Sequence, residues 1–316
     1  MTQGNPHQRA AAVVIGLGLM GCDIAAIFMA GGYKVIAVEP SRERWPSQRE
    51  RVRRSLEQIG GELSAASELV VVGQPGEVDW SQVALVIECV PENLDLKQRV
   101  FADLDERVPQ DIPIGTNASG LRITDIARHC RTRSRMANLH FFLPAHLVPA
   151  VEVVRGEFTE DWVCDRLADI MRALGRVPIR VARDVPGFLA NRLQHALMRE
   201  VFAVIDEGLG TAEDVDAAVR FGFGFRYVAA GPILQKELAG FETHLAAARS
   251  IYPSLNNSPE PSPTLRRLVE EGKLGTKTGQ GLRPWPPDVA ERERERYERV
   301  LQAAARLLRD DTGSSG

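Results

Sequence analysis

The chain has 316 residues, enough for about two domains, and its 44% hydrophobic and 26% charged residues describe a globular protein with a sizeable core. With 42 acidic against 39 basic side chains the net charge is −3, and no clustered positive face marks a nucleic-acid binder. Cys22, Cys89, Cys130 and Cys164 lie far apart with no CxxC pair, which excludes a zinc ribbon and a disulfide framework, and predicts a reducing, cytoplasmic setting without a metal.

Residues 11–15 form a short apolar run, followed at once by Gly16-Leu17-Gly18-Leu19-Met20-Gly21 and a helical pattern over 23–30. Leu19-Met20-Gly21-Cys22 imitates a lipoprotein cleavage site, but Arg9 alone is a poor basic segment. Asp23 also breaks the run well short of the roughly 18 apolar residues that a membrane span needs, so no membrane association is expected. Residues 33–39 predict a second strand that stops at Pro40, which cannot continue a ladder. The arginine-rich stretch 42–54 resumes helical spacing through Leu56 and Ile59. Further strands are predicted at 69–72, 84–90, 112–116 and 136–142, with helices at 94–108 and 123–129. Strands alternating with helices imply a mostly parallel sheet covered on both faces.

The pattern changes at Asp184-Val185-Pro186-Gly187-Phe188, beyond which 190–207 and 212–219 carry apolar residues at helical spacing and strand-like runs cease. The expected fold class is α/β: a Rossmann-type parallel-sheet domain over 1–184, then an all-helical domain over 185–316 for substrate binding and dimerisation. Loops are predicted at 252–263 and 275–281, an amphipathic helix at 289–308 and disorder at 312–316.

A GxGxxG run is informative when a strand precedes it and a helix follows, as here. Gly16 permits the tight turn, Gly18 admits a pyrophosphate, Gly21 allows close helix packing, and the amides from Leu17 through Leu19 and Met20 open a helix N-terminus that favours phosphate. Glu39, 23 positions after Gly16 and at the end of the next strand, would accept hydrogen bonds from an adenosine ribose. A carboxylate there repels a 2′-phosphate and predicts NAD over NADP, with Arg42 the residue that argues the other way. The bland reading leaves the glycines as an ordinary turn.

Four later segments extend the argument: Glu88-Cys89-Val90-Pro91-Glu92-Asn93-Leu94 with Lys97; Asn117-Ala118-Ser119; His140-Phe141-Phe142-Leu143-Pro144 with Val151-Glu152-Val153; and Asp184 to Arg192 with Pro186-Gly187-Phe188 and Asn191. In this order the set resembles the L-3-hydroxyacyl-CoA dehydrogenase family, from about Ala11 to Trp285. The resemblance implies NAD chemistry on a small acyl substrate, with a base that takes a hydroxyl proton as hydride leaves the carbinol carbon. It makes His140 that base and Glu152 its orienting carboxylate. Ser119 and Asn191 become donors toward the substrate oxygen, Glu92 and Lys97 contacts to the nicotinamide ribose, Asn117 a cofactor-site residue, and Lys277 a basic residue closing over the cofactor. Without the family, His140 beside two phenylalanines reads as an interior side chain and Glu152 as a solvent-facing strand residue. His7, His129, His146, His195 and His244 have no comparable partners in the sequence.

Two departures bear on substrate. Leu143 stands where the family usually has asparagine, and the stretch between Glu39 and Leu85 is short and free of lysine, where fatty-acid enzymes carry an arm that helps hold coenzyme A. Phe225-Arg226-Tyr227 ahead of Gly231-Pro232 is similar to the lambda-crystallin, carnitine dehydrogenase and diketoreductase branch, whose substrates are free acids, and Arg226 could pair bidentately with a carboxylate. The expected substrate is therefore an L-3-hydroxyacyl group and its 3-oxo form, as CoA thioester or free acid, and the expected assembly a homodimer. Two alternatives stand beside it: a non-catalytic relative of the crystallin kind, and a 6-phosphogluconate-type β-hydroxyacid dehydrogenase. The second needs a catalytic lysine near the Asn191 helix, where there is none.

Overall fold

The computed structural model describes residues 11–313, which fall into two compact units, 11–191 and 192–313. His7 and residues 314–316 lie outside the described part.

The first unit is an eight-stranded sheet in the order β3-β2-β1-β4-β5-β6-β7-β8. β1 (Ala11–Ile15), β2 (Lys34–Val38), β3 (Val70–Val72), β4 (Val83–Glu88), β5 (Ile114–Thr116) and β6 (Met136–Phe141) run parallel. β7 (Ala150–Val154) turns back against β6, and β8 (Val177–Val181) follows β7. Helices α1 (Leu19–Ala30), α2 (Trp45–Gln58), α3 (Leu94–Arg107), the short α4 (Ile123–Ile126) and α5 (Asp161–Ala173) join the strands.

Side chains alternate across a pleated strand, and the core divides accordingly. Ala12, Val14, Leu139, Phe141, Val151 and Val153 pack with α1, α2 and α5 on one face. Val13, Ile15, Val86, Ile114 and Met136 pack with α3 and α4 on the other. Sheets buried on both faces read as unbroken apolar runs, which is why β1 and β4 are legible in the sequence. α5 and β8 are additions to the expected pattern, β7 takes the strand around Glu152 but buries that residue, and α4 is shorter than 123–129.

In the second unit α6 (Ala190–Asp206), α7 (Ala212–Ala217), a π-turn (Ala218–Phe223), α8 (Gly224–Arg226), α9 (Pro232–Ala239), α10 (Phe241–Ile251), α11 (Pro263–Glu270) and α12 (Pro287–Gly313) confirm the helical expectation; α6 starts at the end of the first unit. Thr211 and Asp214 cap α7 reciprocally, and Ser262 caps α11. The expected disorder fails at Thr312 and Gly313, which α12 includes.

Asp23 interrupts an otherwise apolar α1 and is fully buried. Ser55 and Arg51 of α2 donate to its Oδ1 at 2.9 and 3.0 Å, and His146 Nδ1 lies 3.1 Å from its Oδ2, an ion-pair distance without an aligned hydrogen bond. Burial alone would raise the carboxyl, but His146, Arg51 and Ser55 outweigh it and hold Asp23 below the ordinary aspartate range. His146, without a partner in the sequence reading, thus finds one in the fold. A depressed pKa contributes stability above the unfolded value and loses it as pH falls toward the folded one. Asp23→Asn should therefore cost about 1–3 kcal/mol at neutral pH. Urea unfolding should show the gap to wild type narrowing as pH drops below the ordinary aspartate range.

Candidate active site

The glycine turn leaves β1 at Gly16, whose φ of +93° and crowding by Cys89 O, 3.0 Å from any Cβ, both require glycine. A Cβ on Gly21 would stand 2.0 Å from Gly16 O, so the first turn of α1 can lie on the loop only as glycine. A Cβ on Gly18 would meet nothing within 4 Å, so the middle of the turn faces open space. The first-turn amides of α1, at Leu19 and Met20, have no intrahelical acceptor, and no acidic side chain competes there. This combination suits a pyrophosphate.

Glu39, 6% exposed, is held by the protein as well as poised at the end of β2. Its Oε2 accepts from Leu17 N–H at 3.3 Å and Gln48 Nε2 at 3.0 Å, and its Oε1 from Ser41 N–H at 3.1 Å. The carboxylate therefore fixes the glycine turn to the acidic strand end. Arg42, the residue that could favour a 2′-phosphate, stacks over Trp45 at 5.4 Å.

The second cluster follows from strand register. In the antiparallel β6–β7 pair His140 stands opposite Glu152, so both side chains rise on the same face. His140 Nδ1 is 2.8 Å from Glu152 Oε2, and Nε2 is 3.2 Å from Ser119 Oγ, at the loop after β5. Glu152 Oε1 accepts from Leu189 and Ala190 N–H at 3.1 and 2.8 Å. Burial pushes the Glu152 carboxyl up, but His140 and these amides hold it below the usual carboxylate range. An ionised Glu152 accepts only, which assigns the proton to Nδ1 and leaves Nε2 as the basic nitrogen beside Ser119. His140 is 3% exposed and flanked edge-on by the rings of Phe142 and Phe188.

The remaining expected residues divide. Asn117 Oδ1 accepts from Phe141 N–H at 2.8 Å, pinning β5 to β6 beside His140. Glu92 accepts from the amides of Ser119, Gly120 and Leu121, and so shapes the serine loop. Lys97 is buried, with Nζ 2.8 and 2.9 Å from the Glu88 oxygens and 3.1 Å from Val90 O. Burial pushes Glu88 up despite Lys97, and Thr116 completes the set at 2.6 Å. In this structure Lys97 serves the ends of β4 and β5. Asn191 sits half-buried in the first turn of α6, while Arg226 in α8 and Lys277 in the loop after α11 are exposed within the second unit. Leu143, exposed at 56%, follows Phe142 at the end of β6. Burial pushes the thiols of Cys22 and Cys130 up to about 12 and about 11, and raises that of Cys89 as well, so none is a ready nucleophile.

A family model for the NAD-binding domain of 3-hydroxyacyl-CoA dehydrogenase matches residues 11–185, and one for its C-terminal domain matches 187–285. The chain is 30% identical to 5-formyl-3-hydroxy-2-methylpyridine 4-carboxylate 5-dehydrogenase of Mesorhizobium japonicum, over 93% of this chain and 97% of that one. The crystal structure of an enzyme of that name, described as an NAD+-dependent dismutase, aligns with a TM-score of 0.88 at 29% identity, covering 94% and 98%. L-carnitine dehydrogenase of Streptomyces griseus is 34% identical over 93% and 90%, and the human mitochondrial hydroxyacyl-coenzyme A dehydrogenase 31% over 85% and 89%.

Two substitutions test the cofactor turn. Gly21→Ala should abolish NADH binding, measured by fluorescence titration, because its methyl cannot coexist with Gly16 O. Glu39→Gln should erode the preference for NADH over NADPH, and every tenfold lost in the kcat/KM ratio corresponds to about 1.4 kcal/mol.

Proposed function

The chain belongs to the 3-hydroxyacyl-CoA dehydrogenase family of NAD-dependent oxidoreductases, and on that footing we propose that His140 is its general acid–base, oriented by Glu152. The observation that carries this reading is the unbroken line from Glu152 Oε2 through His140 to Ser119 Oγ. Bound NAD supplies the hydride acceptor at its nicotinamide. His140 Nε2 takes the substrate hydroxyl proton in oxidation and returns it in reduction. Glu152 stabilises the imidazolium that forms, a charge-assisted contact stronger than one to a neutral ring. Ser119 and Asn191 donate toward the substrate oxygen, Glu92 and Asn117 hold the loops around it, and Lys277 adds positive charge on the cofactor side.

The substrate we favour is a free hydroxy or oxo acid, with Arg226 reading its carboxylate. The Mesorhizobium pyridine-carboxylate dehydrogenase and the Streptomyces griseus carnitine dehydrogenase each align over 93% of this chain, against 85% for the human hydroxyacyl-CoA enzyme, while the carnitine dehydrogenase of Nocardiopsis dassonvillei aligns over 73%. The C-terminal family match supports the CoA thioester as the second reading. A panel pairing 3-oxoacyl-CoA esters with the matching free acids at fixed NADH separates the two.

The helical part also serves assembly. Among residues 192–309 only Ala203 and Thr264 are buried, whereas Leu209, Phe221, Phe225, Ile233 and Leu238 are each at least 67% exposed. Helices with so little interior need a second apolar surface, and a second copy of the chain supplies one of matching extent through a closed two-fold contact. Among the described residues no helix is long and apolar enough to cross a membrane.

His140→Gln should lower kcat by roughly 10² to 10⁴ while NADH still binds, because the glycine turn is untouched. Near-wild-type turnover in that variant would remove His140 from the mechanism. Light scattering over a range of concentrations should give twice the chain mass, and a constant monomer mass would refute the dimer.

A further inference from the structure

We propose that Phe188 is a positioning residue for proton transfer: its left-handed backbone directs the amides of Leu189 and Ala190, at the start of α6, onto Glu152 while its ring packs edge-on against His140. The inference rests on the reading of His140 as the acid–base.

Among the described residues Phe188 is the one non-glycine residue with positive φ, at +47°; every other such position is glycine. A bulky side chain adopts this conformation only where its surroundings impose it. Glycine would satisfy the backbone here without strain, so in this chain the contacts of the ring must offset the cost of the conformation. The turn that delivers it is built from Pro186 and Gly187, the latter at φ +77°, and closes with Phe188 N–H on Val185 O at 2.9 Å. The next two amides, of Leu189 and Ala190, both reach Glu152 Oε1. That engagement leaves Oε2 for His140 Nδ1, and it puts the N-terminal end of α6, where a helix favours negative charge, against the carboxylate.

The ring of Phe188 is 1% exposed and packs with Val154 and Val181. Its centroid is 5.6 Å from that of His140 at 62°, and Phe142 contributes a second edge-on contact at 4.8 Å and 65°. Two rings thus pack edge-on against the imidazole, while Nδ1 faces Glu152 and Nε2 faces Ser119. One residue couples both halves of the dyad: its backbone sets the carboxylate and its side chain sets the imidazole.

The test uses the full-length chain as wild type, Phe188→Leu and Phe188→Met, which keep apolar side chains, with His140→Gln assigning the imidazole signal. Proton NMR of the NADH complex should show a His140 Nδ1 proton that is absent from His140→Gln. Its exchange with water should accelerate at least tenfold in both Phe188 variants. Their kcat should fall at least tenfold with NADH affinity within twofold of wild type, a split that loss of packing alone would not produce. Unchanged exchange or unchanged kcat in either folded variant overturns the positioning role. Absence of the Nδ1 proton from the wild type, or wild-type kcat in His140→Gln, defeats the acid–base reading beneath it, and the two failures are distinguished by which protein misbehaves.

Discussion

One strand that runs the wrong way organises the site. β7 is antiparallel to β6, and the register of that pair sets Glu152 directly across from His140. A parallel β7 would have needed a long crossover in place of the connection from Phe141 to Ala150, and would have given the histidine a different neighbour. The rest accumulates around this pair: β5 ends beside it and supplies Ser119, Asn117 bridges to Phe141, and the chain returns after β8 to bring α6 onto the second carboxylate oxygen.

Beneath the site two further buried ionic groups hold the loops that surround it. Glu88, Lys97 and Thr116 join the ends of β4 and β5, and Asp23, Arg51, Ser55 and His146 join α1, α2 and the segment after β6. Buried ion pairs add little net stability against an apolar core, yet removing one partner is costly. Their effect here is specificity of arrangement: each fixes a strand end or loop beside the glycine turn or the histidine, where apolar contact alone would leave several packings of similar energy.

The parallel core and glycine turn were legible because both are local: strands buried on two faces read as apolar runs, and Gly16, Gly18 and Gly21 stand next to the strand and helix that use them. His140, Glu152 and Ser119 were legible only through the order of their motifs, since nothing in the periodicity around Val151 or Val153 announces an antiparallel partner. α5 and β8 lay below the threshold of pattern reading; β8, for example, mixes Pro178 and Arg180 into its five residues. His146 shows the limit most clearly. Its Nε2 meets Gln58 Oε1 of α2 at 2.6 Å and its Nδ1 faces Asp23, 123 positions away in α1, and the one local signal was Asp23 itself, a charge in the middle of an apolar helix that had to be compensated somewhere. The burial of Lys97 was likewise invisible, because a helix-borne lysine near an acidic loop reads as solvated until the depth of the helix is known.

The ties on Glu39 bear on how cofactor binding proceeds in time. Its carboxylate holds the Leu17 amide, and α1 rests on Gly16, so the turn is braced by the protein's own contacts. Little conformational entropy remains to be lost there on association, which makes encounter with a rigid surface, rather than loop closure, the natural limit on the on-rate. At this turn the heat-capacity change of binding should then report apolar burial by the ligand, with no contribution from ordering of the glycine loop.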